Sequence, residues 1–165
     1  MAEALNPALL AERTQAFGAF VEAVMTAPPR GLMFVAGSLK PRWVSAATDI
    51  EIPPATADIT VRDSDILHTF RDGKTNKLDL DWYKRLPEHL DAPEAVILDT
   101  AQADHPAFLL IFGRQDNRAD KLVVRINYRI KKGGLGNIVQ TGKHVDLDSV
   151  RGMLENGAIL VEGSL

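Results

Sequence analysis

The residues of this chain best suited to moving protons or holding phosphates are His68, Arg114, Arg125, Asn137 and Thr141, four of them in its second half. They are the types needed for metal-independent cleavage of RNA. In that reaction the 2'-hydroxyl is an internal nucleophile, and a protein supplies a general base, a general acid and cations for the charge that gathers on phosphorus. Histidine titrates near neutrality, and arginine can hold two phosphate oxygens at once. On this reading His68 is the acid or base, Arg125 and Arg114 are phosphate ligands, and Asn137 and Thr141 orient the reacting groups. Arg129, Lys143 and His144 are further substrate contacts, with His144 held in reserve because a surface turn is its other natural home. The structural reading stands beside this one: His68 follows Ile66 and Leu67 and could be a core-edge histidine, and strand arginines could simply blunt an exposed sheet face.

Other chemistries find less support. The four histidines, His68, His89, His105 and His144, never fall three or four residues apart, so no pair shares a helical turn as metal ligands, and neither a metal nor a cofactor is expected. The carboxylates are scattered among basic residues, without the pairing of a glycosidase or the clustering of a two-metal site. The glycine-rich KKGGLGN lacks the Gly-Lys-Ser/Thr ending of a phosphate-binding loop and reads as a turn. Trp82 and Tyr83 could stack on bases, but Leu80 and Leu86 beside them favour core packing.

Charge is segregated along the chain. Between Gly113 and Val145 eight basic residues face only Asp116 and Asp120, although the whole chain carries a net charge of -3. Such a stretch is either a polyanion site or a solvated hairpin.

The elements that must position these groups follow from periodicity. Asn6 caps and Pro7 opens a helix expected to run to Thr26, where Pro28 and Pro29 stop it. Residues 31–39 are apolar and fit either a buried strand or a packed loop. Residues 48–57 read as a linker, Ile59 to Val61 as a brief strand, and Asp63 or Ser64 as the cap of a short helix bearing His68. Two short helices beginning at Asp79 and Pro87 precede four strand-like segments, at 95–99, 107–112, 121–130 and 137–141, whose short connections predict an antiparallel meander. In the third, Leu122, Val124, Ile126, Tyr128 and Ile130 alternate with Val123, Arg125, Asn127 and Arg129, which predicts one core face and one polar face. A last helix capped by Asp148 ends at Asn156-Gly157, and Ile159 to Val161 adds an edge strand.

Composition sets the frame. With 45% hydrophobic and 25% charged residues the chain is globular. At this length roughly two thirds of the unfolded surface can be buried. It has no cysteine, so disulfides and thiolate chemistry are excluded and a cytosolic setting is the default. The N-terminus lacks the pattern of a signal peptide, and the longest apolar runs, such as Ala107 to Phe112, are too short for a membrane span.

Three ordered segments carry a resemblance: DILHTFRDGKTNKLDLDWYKRLPEHLDAPEAVILDT, then KLVVRINYRIKKGGLGNIVQTG, then a closing helix with NGAIL. Together they resemble the C-terminal domain of phage Mu-like minor capsid, head-morphogenesis proteins, the phage branch of the barnase, EndoU, colicin and RelE-like nuclease group. The resemblance implies an α+β domain over residues 58–165, with N-terminal helices followed by a four-stranded antiparallel sheet, preceded by a helix and extended lead-in over 1–57. It implies a ribonuclease-like toxin, cytoplasmic or carried with the virion into a bacterial cytoplasm, with RNA as substrate, an immunity protein as partner and a link to a phage capsid. Its site positions fall on His68, Lys74, Arg125, Asn137 and Thr141, with Lys77 an equal match for the loop lysine. The chain starts without a portal-binding or head-morphogenesis region and so reads as a free-standing version or an excised C-terminal fragment. Two other functions remain open: a non-catalytic binding or virion-structural module, and a polyanion-binding domain without catalysis.

Overall fold

The computed structural model describes residues 6–71, 73, 75–101, 104–131 and 133–165. In chain order the elements are α1 (Pro7–Met25), β1 (Met33–Ser38), α2 (Pro41–Asp49), β2 (Asp58–Arg62), α3 (Asp63–Thr69), α4 (Leu80–Tyr83), α5 (Leu86–Asp91), β3 (Ala95–Asp99), β4 (Ala107–Gln115), β5 (Arg118–Ile130), β6 (Gly134–Asp146), α6 (Leu147–Glu155) and β7 (Ile159–Gly163). The α1 cap is as its sequence predicts: Asn6 Oδ1 accepts from Ala8 N at 2.8 Å and Pro7 opens the helix. A helix over Pro41–Asp49 takes in the first two residues of the expected linker and buries Trp43 and Ala47.

The expected four-stranded antiparallel sheet is overturned. There is one seven-stranded mixed sheet, ordered β1-β2-β6-β5-β4-β3-β7. The β3-β4-β5-β6 meander is present and antiparallel, and five of the six helices precede or interrupt the chain before it. What enlarges the sheet is β2, which lies parallel to β6 through Ile59↔Asn137 and Thr60↔Ile138 and brings β1 with it, while β7 extends the far edge. β1 belongs to the segment before residue 58, so this sheet spans both sides of the boundary expected there.

Both sheet faces are covered in part. On the first, Phe17 and Val21 of α1, Trp43 of α2, Ile66 of α3 and Leu86 and Leu90 of α5 pack on Leu122, Val124, Ile126, Val139 and Phe108. On the second, Leu147 and Val150 of α6 pack on Ala95, Ile97, Leu109 and Ile111. Trp82 and Tyr83 go to the first core, as their helical setting favours. Tyr83 is buried, and its hydroxyl is pushed up by burial and then by the charge of Asp65.

The expected alternation along β5 holds to Ile126 and then breaks. Asn127 has φ +53 and the β5–β6 register shifts between Arg125 and Tyr128, a bulge that takes Tyr128 out of the core series. The Tyr128 ring instead lies under the Arg62 guanidinium, 4.6 Å from centroid to Cζ. Asn tolerates this conformation better than most residues, and here its amide is also used. Nδ2 donates to Pro53 O at 3.1 Å and Oδ1 accepts from Ala55 N at 2.8 Å. Ten residues on, Asn137 is fully buried and its Nδ2 donates to Thr56 O at 2.8 Å and Asp58 O at 2.9 Å.

Two stability predictions follow from these contacts. Asn137→Ala strips both carbonyls of their donor and lowers unfolding stability by about 1–3 kcal/mol; urea unfolding checks this, and a change below about 0.5 kcal/mol contradicts it. The second concerns His89, which stacks on Trp82 at 4.0 Å and has Nε2 3.0 Å from Trp82 O. Burial first, and Arg85 second, hold its pKa below the ordinary value against Trp82, Glu88 and Asp120. The folded state therefore binds a proton less readily than the unfolded chain, so the stabilisation is full above the ordinary histidine range and is lost as pH falls through the folded pKa. Wild type should lose stability relative to His89→Phe as urea midpoints are measured from pH 7.5 down to 5; a pH-independent difference refutes it.

Candidate functional site

β2 runs straight into α3, so the parallel seat of β2 on β6 fixes where α3 lies. Asp63 secures the junction: Oδ2 accepts from Arg30 N at 2.8 Å and Leu32 N at 3.1 Å, and Oδ1 from Ser64 N at 2.7 Å. Burial pushes this carboxyl up, but the backbone donors outweigh it and hold the pKa below the usual carboxylate range. One turn later α3 presents exposed His68 beside β6, and His68, Asp65, Gln140 and Thr141 line a surface pocket of about 500 Å³. Asp65 is committed elsewhere, as its two oxygens take Arg62 Nε at 2.7 Å and Nη2 at 3.0 Å.

Register places the cations. Thr141 pairs with Val123, Arg125 with Ile138, and Lys121 with Lys143, all on the α6 side of the sheet. Arg125 is therefore diagonal to Thr141, and Lys143 lies two residues along β6 from it. Arg125 is partly buried, and its Nε is buried without a hydrogen-bond partner among the described residues. One pocket wall thus leads onto a sheet face carrying Lys121, Arg125 and Lys143.

The other expected site residues are not brought here. Asn137 is fully buried and fastened to Thr56 and Asp58, so its role is structural. Arg114 is exposed within the Phe112/Gln115 irregularity, where its backbone N–H donates to Glu94 Oε2 at 2.9 Å. Arg129 is exposed past the Asn127 bulge, opposite Leu135. Lys74 lies outside the described residues.

His144 sits on the opposite sheet face, with its Nδ1 hydrogen-bonded to Asp120 directly across the β5–β6 ladder. The pair borders a second pocket, of about 460 Å³, with Gly113, Gln115, Asp116 and Arg118. A carboxylate that orients an imidazole is an acid/base arrangement, and the sequence reading missed Asp120. The available signal was Asp120's position within the basic stretch, but only the β5–β6 register brings it opposite His144. Among the described residues no group of three or more His, Cys, Asp or Glu side chains is placed to hold a metal ion. No described helix is long and apolar enough to cross a membrane.

Set against known proteins, the chain matches no family model, no curated protein and no solved structure.

Proposed function

We propose that the protein is a metal-independent endoribonuclease acting at the His68–Thr141 pocket. The observation that carries this reading is that α3 and β6 place an exposed histidine in one pocket with Thr141, whose sheet face bears Lys121, Arg125 and Lys143. The substrate's 2'-oxygen attacks phosphorus as the bond to the 5'-oxygen breaks, leaving a 2',3'-cyclic phosphate and a free 5'-hydroxyl. His68 takes the proton from the nucleophile or returns one to the leaving oxygen, and the other proton is exchanged with solvent water. Arg125 bears on the phosphate charge, Lys143 contacts the substrate beside it, and Thr141 orients the substrate through its hydroxyl. The Asp120–His144 pocket is the weaker seat for this reaction, because Asp116 beside Asp120 makes it locally acidic and repels a phosphate. A toxin of this kind requires an immunity partner in the cell that makes it.

A second reading has its own support. Leu32, Met33 and Val35 are 52%, 49% and 43% exposed on or beside edge strand β1. An apolar edge of that sort suits a protein partner in a non-catalytic, virion-associated module.

Cleavage of mixed RNA and total tRNA by the purified chain should persist in excess EDTA. His68→Ala should reduce the rate by about 10²–10⁴-fold, and Arg125→Ala by about 10–100-fold, the worth of a charged hydrogen bond, with circular dichroism unchanged. Loss of activity on chelation, or full activity in His68→Ala, contradicts the mechanism. Intact RNA throughout favours the non-catalytic reading.

A further inference from the structure

We propose that Lys121 and Lys143 form a binding site for a backbone phosphate of single-stranded RNA adjoining the scissile one, a role that deepens the nuclease reading and rests on it for the identity of the ligand. The two lysines are direct cross-strand partners on one sheet face. Residues so opposed have Cβ atoms about 4.5–5.5 Å apart, and like charges there repel. Lys121 is partly buried against the strands that α6 covers, with Ile111 as its partner on the other side. Neither lysine has an ion pair among the described residues. Burial, and then the charge of Lys143, hold the Lys121 pKa below the ordinary value, while Asp99 is the counter-charge that acts in the other direction.

Four residues along β5 from Lys121, on the same face, stands Arg125, with its buried Nε unpartnered among the described residues. Three cations therefore share a surface that holds too little negative charge of its own. An anion between the lysines removes their repulsion. Thr141 joins this row to the His68 pocket, so a chain of phosphates entering along the row places its next phosphate at the histidine. A single strand is the form that can follow a sheet face in this way, because its backbone bends freely.

The test uses a mixed-sequence 2'-O-methyl RNA decamer, which lacks the nucleophile and cannot be cleaved, with binding read by fluorescence anisotropy against the intact chain. Lys121→Gln and Lys143→Gln should each weaken binding about five- to tenfold at low salt and reduce the slope of log affinity against log salt by about one. The distant Arg42→Gln should bind within about twofold of wild type, a difference too small to count as a lost phosphate contact. Without oligonucleotide, Lys121→Met should melt at or above the wild-type temperature, since it removes repulsion; this separates a lost contact from a damaged fold. Wild-type affinity in Lys121→Gln, or no binding by wild type, overturns the proposal. Binding that depends on both lysines without any cleavage of ordinary RNA sustains it and sinks the catalytic reading instead.

Discussion

The parallel register of β2 on β6 is the constraint on which the rest of the molecule depends. A parallel pair cannot be closed by a tight turn, and here the two strands are separated by everything from Asp63 to Gly133. Only two residue pairs define it, so the ladder alone is a weak fastening. Side chains reinforce it. Asn137 holds the carbonyls of Thr56 and Asp58 from inside the protein, and Asn127, through a bulge that costs it a left-handed conformation, holds Pro53 and Ala55. The extended segment before β2 is therefore pinned along its length to the two central strands.

The position of α3 follows from this seat. Since Arg62 ends β2 and Asp63 begins the helix, a register slip in β2 would carry His68 away from Thr141. Asp63, by gathering the backbone donors of residues 30, 32 and 64, ties the approach to β1 into the same corner. An asparagine that looks catalytic in sequence is in this sense a condition for the site without being part of it.

This explains what was legible beforehand. Local signals were sufficient for local structure: the Asn6-Pro7 cap, the Asp79 start, the meander, the edge strand beginning at Ile159 and the presence of a short helix bearing His68 follow from spacing and turn residues, although the cap of that helix is Arg62 and not Asp63 or Ser64. The pairing of β2 with β6 left no local trace, because a parallel partner leaves no turn between the strands to read, and a four-stranded sheet was expected in place of seven. The polar face of β5 was read correctly as far as Arg125. Past it, one left-handed asparagine broke the period-two argument. His68, Thr141 and Arg125 belong to elements whose faces periodicity describes, whereas Asn137 was misassigned because a buried amide and a catalytic one look the same in sequence.

The β5–β6 ladder also shows how one residue step separates two chemistries. Asp120 and His144 face each other on one side, and Lys121 and Lys143, the next pair, face each other on the other. The first pair is self-satisfied by a hydrogen bond, the second is self-repelling, and the sheet between them keeps the carboxylate from neutralising the lysines. Moving Asp120 by one position would quench the cationic face. The overall acidity of the chain is therefore compatible with a local polyanion site: pairing depends on which side of a strand a charge stands, and net charge does not record that.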